Sequence, residues 1–77
     1  MILYSFSGIQ WIRPKDLDTE SIATLEMIVS CYAYLLNTSG FRNQLVSWLE
    51  FSQMISNHHA MDCDRTRYCV EFLQKLD

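Results

Sequence analysis

The chain has 77 residues, of which 49% are hydrophobic and only 19% charged, and its net charge is −3. This length predicts a single domain near the lower limit at which one core can stabilise itself. The six basic residues form no cluster, which argues against nucleic-acid binding, and no apolar run reaches the roughly 18 residues that a membrane span needs.

The N-terminal arm, residues 1–13, has the alternating pattern of a short strand. Ile2, Tyr4 and Phe6 alternate with the residues between them, and Gly8 is expected to end the strand. The residues after it either continue extended or begin a first helical turn. A strand without a partner is unstable. We therefore expect the arm to pair with a second copy, to add to a partner's sheet, or to lie across the helices.

The longest periodic segment predicts a central helix over residues 19–37. Its apolar residues recur at spacings of three and four, as on one face of an α-helix: Ile22, Leu25, Val29, Tyr32 and Leu36. Further apolar residues widen this face: Met27, Ile28 and Leu35. This width predicts a core helix that is covered on more than one side. Asp18 or Thr19 is expected to cap its start, and Gly40 its end.

Two more helices are predicted after the polar break at residues 37–40. The second, over residues 41–55, should form an antiparallel hairpin with the central helix because the connection is short. The third spans about residues 63–75, with Asp62 or Asp64 as its N-cap. The predicted fold is a mainly α, single domain over residues 1–77: an antiparallel helical hairpin plus a C-terminal helix, with an extended or strand-like N-terminal arm.

The side chains that could carry chemistry form one weak cluster. It contains the residue types that bind zinc: His58, His59, Cys63 and Cys69. Because no Cys-x-x-Cys or His-x-x-x-His pair is present, we predict no metal and no other cofactor. No activated nucleophile or phosphate-binding glycine loop is indicated either, so we do not expect an enzyme.

The three cysteines, an odd number at irregular spacings, predict reduced thiols rather than a disulfide framework. The first residues also lack the basic region and cleavage site of a signal peptide. We therefore expect a cytoplasmic protein, in a bacterium or in the host of a phage.

Three later segments read LEMIVSCYAYLL, LVSWLE and RYCVEFLQKL. They resemble the C-terminal two-thirds of small enterobacterial anti-adaptor proteins of the IraP type, at these positions: Leu25, Glu26, Ile28, Val29, Leu45, Glu50 and residues 70–76. The resemblance implies binding to the response-regulator adaptor that delivers the stationary-phase sigma factor to its protease. The uncharged N-terminal arm departs from that family, which begins with a long charged helix. Other small helical enterobacterial regulators, tied to biofilm and acid resistance, are about as similar.

The apolar excess predicts a non-catalytic regulator that binds another protein and blocks or modulates it, most simply as a homodimer. Aromatic side chains dominate binding energy at interfaces, which gives these candidate contacts: Tyr4, Phe6, Trp11, Ile12, Trp48 and Phe51. Two alternatives stay open. One is a structural subunit or chaperone of a larger assembly, and the other is a metal- or redox-responsive switch that uses the cluster His58, His59, Cys63 and Cys69.

Overall fold

A computed structural model of the chain describes residues 3–6, 8–12, 17–38, 44–58 and 63–76. In chain order these ranges contain β1 (Leu3–Phe6), β2 (Ile9–Ile12), α1 (Thr19–Cys31), α2 (Ala33–Thr38), β3 (Leu45–Val46), α3 (Trp48–His58) and α4 (Asp64–Gln74). The fold is mainly helical, as predicted. It also contains a three-stranded sheet, which the sequence pattern did not predict.

The N-terminal arm is a β-hairpin rather than a single strand. β1 and β2 pair antiparallel with Phe6 opposite Ile9, so that two residues connect them. One of the two is Gly8, whose φ of +75° lies in the left-handed region that glycine adopts without steric cost. β2 also pairs in parallel with β3, with Trp11 opposite Val46. β2 is therefore the central strand, and the arm finds its pairing partners within the chain.

The predicted second helix, residues 41–55, begins later than expected. β3 occupies part of its first turns, and α3 starts at Trp48. The Ser47 hydroxyl oxygen accepts a hydrogen bond from the N–H of Glu50 at 3.1 Å. This bond satisfies one of the free amides of the first turn and caps the helix there. The expected first residues, 41–43, lie outside the described part of the chain.

The predicted central helix, residues 19–37, is divided into α1 and α2 at Tyr32. Asp18 caps α1 as predicted, because its Oδ1 accepts a hydrogen bond from the N–H of Ser21 at 2.7 Å. At Tyr32 the backbone leaves helical geometry, with φ −114° and ψ 19°. Gly40, the expected C-terminal cap, lies outside the described residues.

α4 lies within one residue of the predicted third helix at each end. Its N-cap position is Cys63, which makes no side-chain capping bond, and Asp64 is already helical. Asp62, the other expected cap, is not among the described residues. α4 packs chiefly against α3, whereas the sequence predicted an antiparallel hairpin of the central and second helices. None of the described helices has the length and hydropathy that a bilayer crossing requires.

The core is organised around two stacked indole rings. The centroids of Trp11 and Trp48 lie 4.2 Å apart at an interplanar angle of 3°, and the ring of Phe51 lies 5.2 Å from Trp11. Trp48 Nε1 donates to the Ile12 carbonyl oxygen at 2.8 Å. These contacts join the hairpin to α3. The other helices cover them with fully buried aliphatic side chains that include Leu25, Ile28, Val29, Leu36 and Leu73.

Candidate partner-binding surface

Half of the predicted contact residues are fully buried in the core: Trp11, Trp48 and Phe51. The two indoles stack on each other, the Phe51 ring is tilted against Trp11, and both indole N–H groups donate to backbone carbonyls, so these side chains have no surface to offer a partner. Phe6 and Ile12 are partly buried, and Phe6 packs against the core. The side chain of Tyr4 lies outside the described part. Trp11, Trp48 and Phe51 therefore belong to the core of this fold rather than to a partner-facing surface.

A different, uncharged face lies on α1 and α2. We call it the α1–α2 face and define it by four exposed residues: Met27, Ser30, Cys31 and Tyr34. Met27 is 46% exposed and Tyr34 is 51% exposed, and no acidic or basic residue occurs from Met27 to Thr38. Ile28 and Leu35 are buried, which confirms that they belong to the core-facing side of these helices. Met27 was expected to be covered as well, but it points away from that side.

α4 adjoins the edge of the α1–α2 face. Arg65 Nη2 donates to Cys31 Sγ at 3.6 Å, and beneath this contact the hydroxyls of Tyr32 and Thr66 lie 3.4 Å apart in the buried interface. Tyr68, which is 54% exposed, follows Arg65 by three residues and so neighbours it on the helix. We call the α1–α2 face together with Arg65 and Tyr68 the contact surface.

The positive charge of Arg65 is not neutralised by a carboxylate among the described residues. Within the part of the chain that the structure describes, one salt bridge is present, between Arg67 and Asp64 at 3.4 Å. Both of these side chains are well exposed, so the pair contributes little to stability. Arg65 has no carboxylate partner among the described residues and contacts the sulfur of Cys31 instead. The contact surface thus presents one positive charge at the margin of an uncharged face.

The candidate metal ligands do not come together as a site. His58 Nδ1 lies 2.9 Å from the Met54 carbonyl oxygen in the last turn of α3. Cys63 is exposed, whereas Cys69 is buried on α4. Across residues 3–6, 8–12, 17–38, 44–58 and 63–76, no three His, Cys, Asp or Glu side chains are placed to share a metal ion. His59 lies outside these ranges.

Comparisons of the chain with protein-family models, with curated proteins and with solved structures found no match. The resemblance to anti-adaptor proteins therefore stays a prediction from the sequence. The sequence did not identify Met27 and Tyr34 as contact residues. A single methionine or tyrosine on a helix has no pattern that distinguishes a contact from a solvent-facing position.

Proposed function

We propose that this chain is a small non-catalytic regulator that binds another protein through the contact surface. The observation that carries the proposal is the half-exposure of Met27 and Tyr34 on a helical face without charges. Exposed apolar patches mark interaction sites, and both of these side chains lie on the α1–α2 face. Their transfer out of water on binding contributes about 25 cal/mol for each Å² of apolar area. Methionine, tyrosine and arginine are also the residue types enriched at protein interfaces.

The mechanism we propose is steric inhibition of the anti-adaptor type, in which the bound regulator blocks or modulates a site on its target. Support comes from where the resembling segments lie. The first spans parts of α1 and α2, and the last lies mostly in α4, so the resembling segments fall on the helices that carry the contact surface, although none of the matching positions is among the residues that define it. The arm that departs from the family forms the hairpin and contributes none of the surface residues.

The test is capture of a partner by the purified, tagged protein, with four matched chains. Met27→Glu and Tyr34→Glu place a charge on the contact surface, and Gln53→Glu places the same charge on an exposed position of α3. Wild type and Gln53→Glu should retain one stoichiometric protein after a salt wash. The two surface variants should lose it by about tenfold or more, as expected for interface residues of large effect. Circular dichroism verifies that all four remain folded.

Two results would refute this proposal. If the wild type retains no protein in stoichiometric amount, the regulator function is wrong. If all four chains retain the same protein equally, the function stands and the surface is wrong. An Arg65→Glu variant tests which charge the target carries opposite this arginine. Weaker capture by this variant indicates an acidic group there.

The homodimer is a separate proposal that rests on the apolar composition. Sedimentation equilibrium of the wild type and of Tyr34→Glu tests it directly. A dimer that dissociates in the variant would place self-association on the contact surface. A dimer that persists would place it elsewhere and leave the contact surface available for the target. A wild type that stays monomeric would refute the homodimer.

A further inference from the structure

β1 lies at one edge of the sheet, and among the described residues β2 is its one neighbouring strand. Two residues join β1 to β2, and a connection of that length is a β-turn that closes on a hydrogen-bonded pair, here Phe6 and Ile9. Hydrogen-bonded and non-hydrogen-bonded pairs alternate along an antiparallel ladder. Leu3 and Ser5 therefore direct their backbone N–H and C=O groups away from β2, toward the outer edge of the sheet.

The same alternation is visible on the other strand of the hairpin. Ile12 lies opposite Leu3, in a pair that is not hydrogen-bonded, so the Ile12 carbonyl should point away from β1. Its oxygen accepts the hydrogen bond from Trp48 Nε1 at 2.8 Å, and Trp48 follows β3 by two residues. This bond supports the register that places the outward-facing backbone groups on Leu3 and Ser5.

The outer edge of β1 carries none of the features that usually prevent a sheet edge from pairing with another chain. Such edges are protected by lysine, by proline or by a bulge. Residues 1–12 contain no charged residue and no proline, and the register of β1 with β2 is continuous, without a bulge. The side chains of Leu3 and Ser5 are both exposed. An identical strand can therefore approach this edge without electrostatic repulsion.

We propose that β1 pairs antiparallel with β1 of a second copy, so that the two three-stranded sheets join into one. This pairing rests on the homodimer proposed above and names its interface. With the two-fold axis at Tyr4, Leu3 lies opposite Ser5 of the second copy, and Ser5 lies opposite Leu3 of the second copy. Each of these pairs exchanges two backbone hydrogen bonds, and the exposed Leu3 side chain gains a neighbour on the adjoining strand.

A second copy fits this edge because a two-fold interface requires a surface that is complementary to itself. The outward groups of Leu3 and Ser5 meet that requirement, since each half of the pairing repeats the other. The acidic residues that give the chain its net charge of −3 begin only at Asp16, after the hairpin. β1 has four residues, so the pairing is short, and the dimer should dissociate on dilution. The contact surface contains no residue of β1 and stays available for the target.

The experiment uses two variants that complement each other only in this register. Leu3→Lys and Ser5→Glu each add a charge at the outer edge, and sedimentation equilibrium should show about tenfold weaker dimers, because like charges then lie on adjacent strands. An equimolar mixture should form a heterodimer about as strong as the wild-type dimer, since the opposite charges lie directly across from each other. Gln10→Lys adds a charge to the exposed outer face of β2 and is the matched control. It should dimerise like the wild type, as should Tyr34→Glu.

Hydrogen exchange of the wild type gives a second measurement that needs no variant. The amides of Leu3 and Ser5 face outward, so their exchange should slow as the protein concentration rises into the range where dimers form. The amide of Tyr4 faces β2, and its protection should not depend on concentration. Equal exchange of the Leu3 and Ser5 amides in monomer and dimer would overturn the proposed pairing.

The remaining outcomes separate this interface from the other proposals. A dimer that keeps its full strength in both edge variants overturns the β1 pairing and leaves the homodimer standing. A mixture that stays as weak as the single variants overturns the register. A wild type that is monomeric at every concentration refutes the homodimer and this interface together; if Leu3→Lys then weakens partner capture, the edge binds a strand of the target instead. Capture through the contact surface is measured separately, so the regulator function does not depend on these results.

Discussion

Trp48→Phe is the substitution that most directly tests the core described above. The indole of Trp48 is fully buried, stacks on Trp11 at 4.2 Å, and donates to the Ile12 carbonyl oxygen at 2.8 Å. Phenylalanine keeps an aromatic ring in the site but removes the N–H donor and part of the stacked area. The variant therefore weakens two of the interactions that join the hairpin to α3, while the contact of Phe51 with Trp11 remains.

The expected cost follows from those two interactions. Loss of the hydrogen bond to the partly buried Ile12 carbonyl costs about 0.5–1.5 kcal/mol, and the geometry of a stacked aromatic pair contributes about 0.5–1.5 kcal/mol beyond area burial. Together these give roughly 1–3 kcal/mol of destabilisation. A domain of 77 residues has a free energy of unfolding of roughly 4–12 kcal/mol. The variant should fold, but with part of its stability lost.

Urea unfolding followed by circular dichroism measures the effect, with the free energy taken by linear extrapolation. Leu49→Ala is the matched control, because Leu49 is the next residue of α3 and is exposed. Its expected effect is about 0.5 kcal/mol. If Trp48→Phe costs no more than the control and abolishes partner capture, Trp48 is a surface contact and the described core is wrong.

Three further substitutions test local features. Hydrogen bonds donated by the Ser21 hydroxyl and, with a smaller effect, by the Ser21 backbone N–H lower the pKa of Asp18 below its ordinary 3.8. The stabilisation that the Asp18 carboxylate provides is therefore complete above that pH and is lost as pH falls through the lowered pKa. Asp18→Asn keeps a capping oxygen without a charge, so the melting temperatures of wild type and variant should converge on acidification. Gly8→Ala should cost about 1–2 kcal/mol in urea unfolding through its positive φ alone, since an added Cβ meets no atom within 4 Å; an equal cost for Gly8→Asn would contradict this. Tyr32→Phe should cost about 0.5–1.5 kcal/mol, and a double-mutant cycle with Thr66→Val should show coupling between the two hydroxyls.

The helices with strong local patterns were predictable from the sequence. α4 follows an uninterrupted apolar period, and Asp18 offers its carboxylate to the first turn of α1. Two other local features were present but were not recognised. Serine followed three residues later by glutamate, at Ser47 and Glu50, is a capping-box pattern that marks the start of α3. A glycine between two alternating apolar runs, at Gly8, is typical of a hairpin.

The remaining features depend on contacts between distant parts of the chain. β3 has only two residues, and its strand geometry comes from pairing with β2 rather than from any local preference. The burial of Trp11 likewise depends on Trp48, which lies far along the sequence. Residue type alone could not show that these indoles pack on each other. This is why the predicted contacts were placed on aromatic residues that the fold uses for its core.

Among the described residues, the apolar excess of the sequence reaches the surface at Leu49 on α3 and at two larger groups of side chains, and the choice between these two groups decides where a partner binds. A domain of this size buries only about 60% of the surface of its unfolded chain, so some apolar exposure is expected. On the outer face of the sheet, Leu3 is 47% exposed and Leu45 is 37% exposed. The polar side chains of Ser5 and Gln10 share that face, because the two residues are paired and Gln10 lies opposite Leu45.

The contact surface differs from the sheet in composition. It combines Met27, Tyr34 and Tyr68 with a guanidinium group that has no carboxylate partner among the described residues. Aromatic and arginine side chains contribute most to binding energy, whereas isolated leucines between polar neighbours are ordinary surface. We therefore expect Leu45→Asp to leave partner capture intact while Tyr34→Glu abolishes it. The reverse result would place the interface on the sheet. The hairpin, which the resembling family lacks, would then have a role in partner binding.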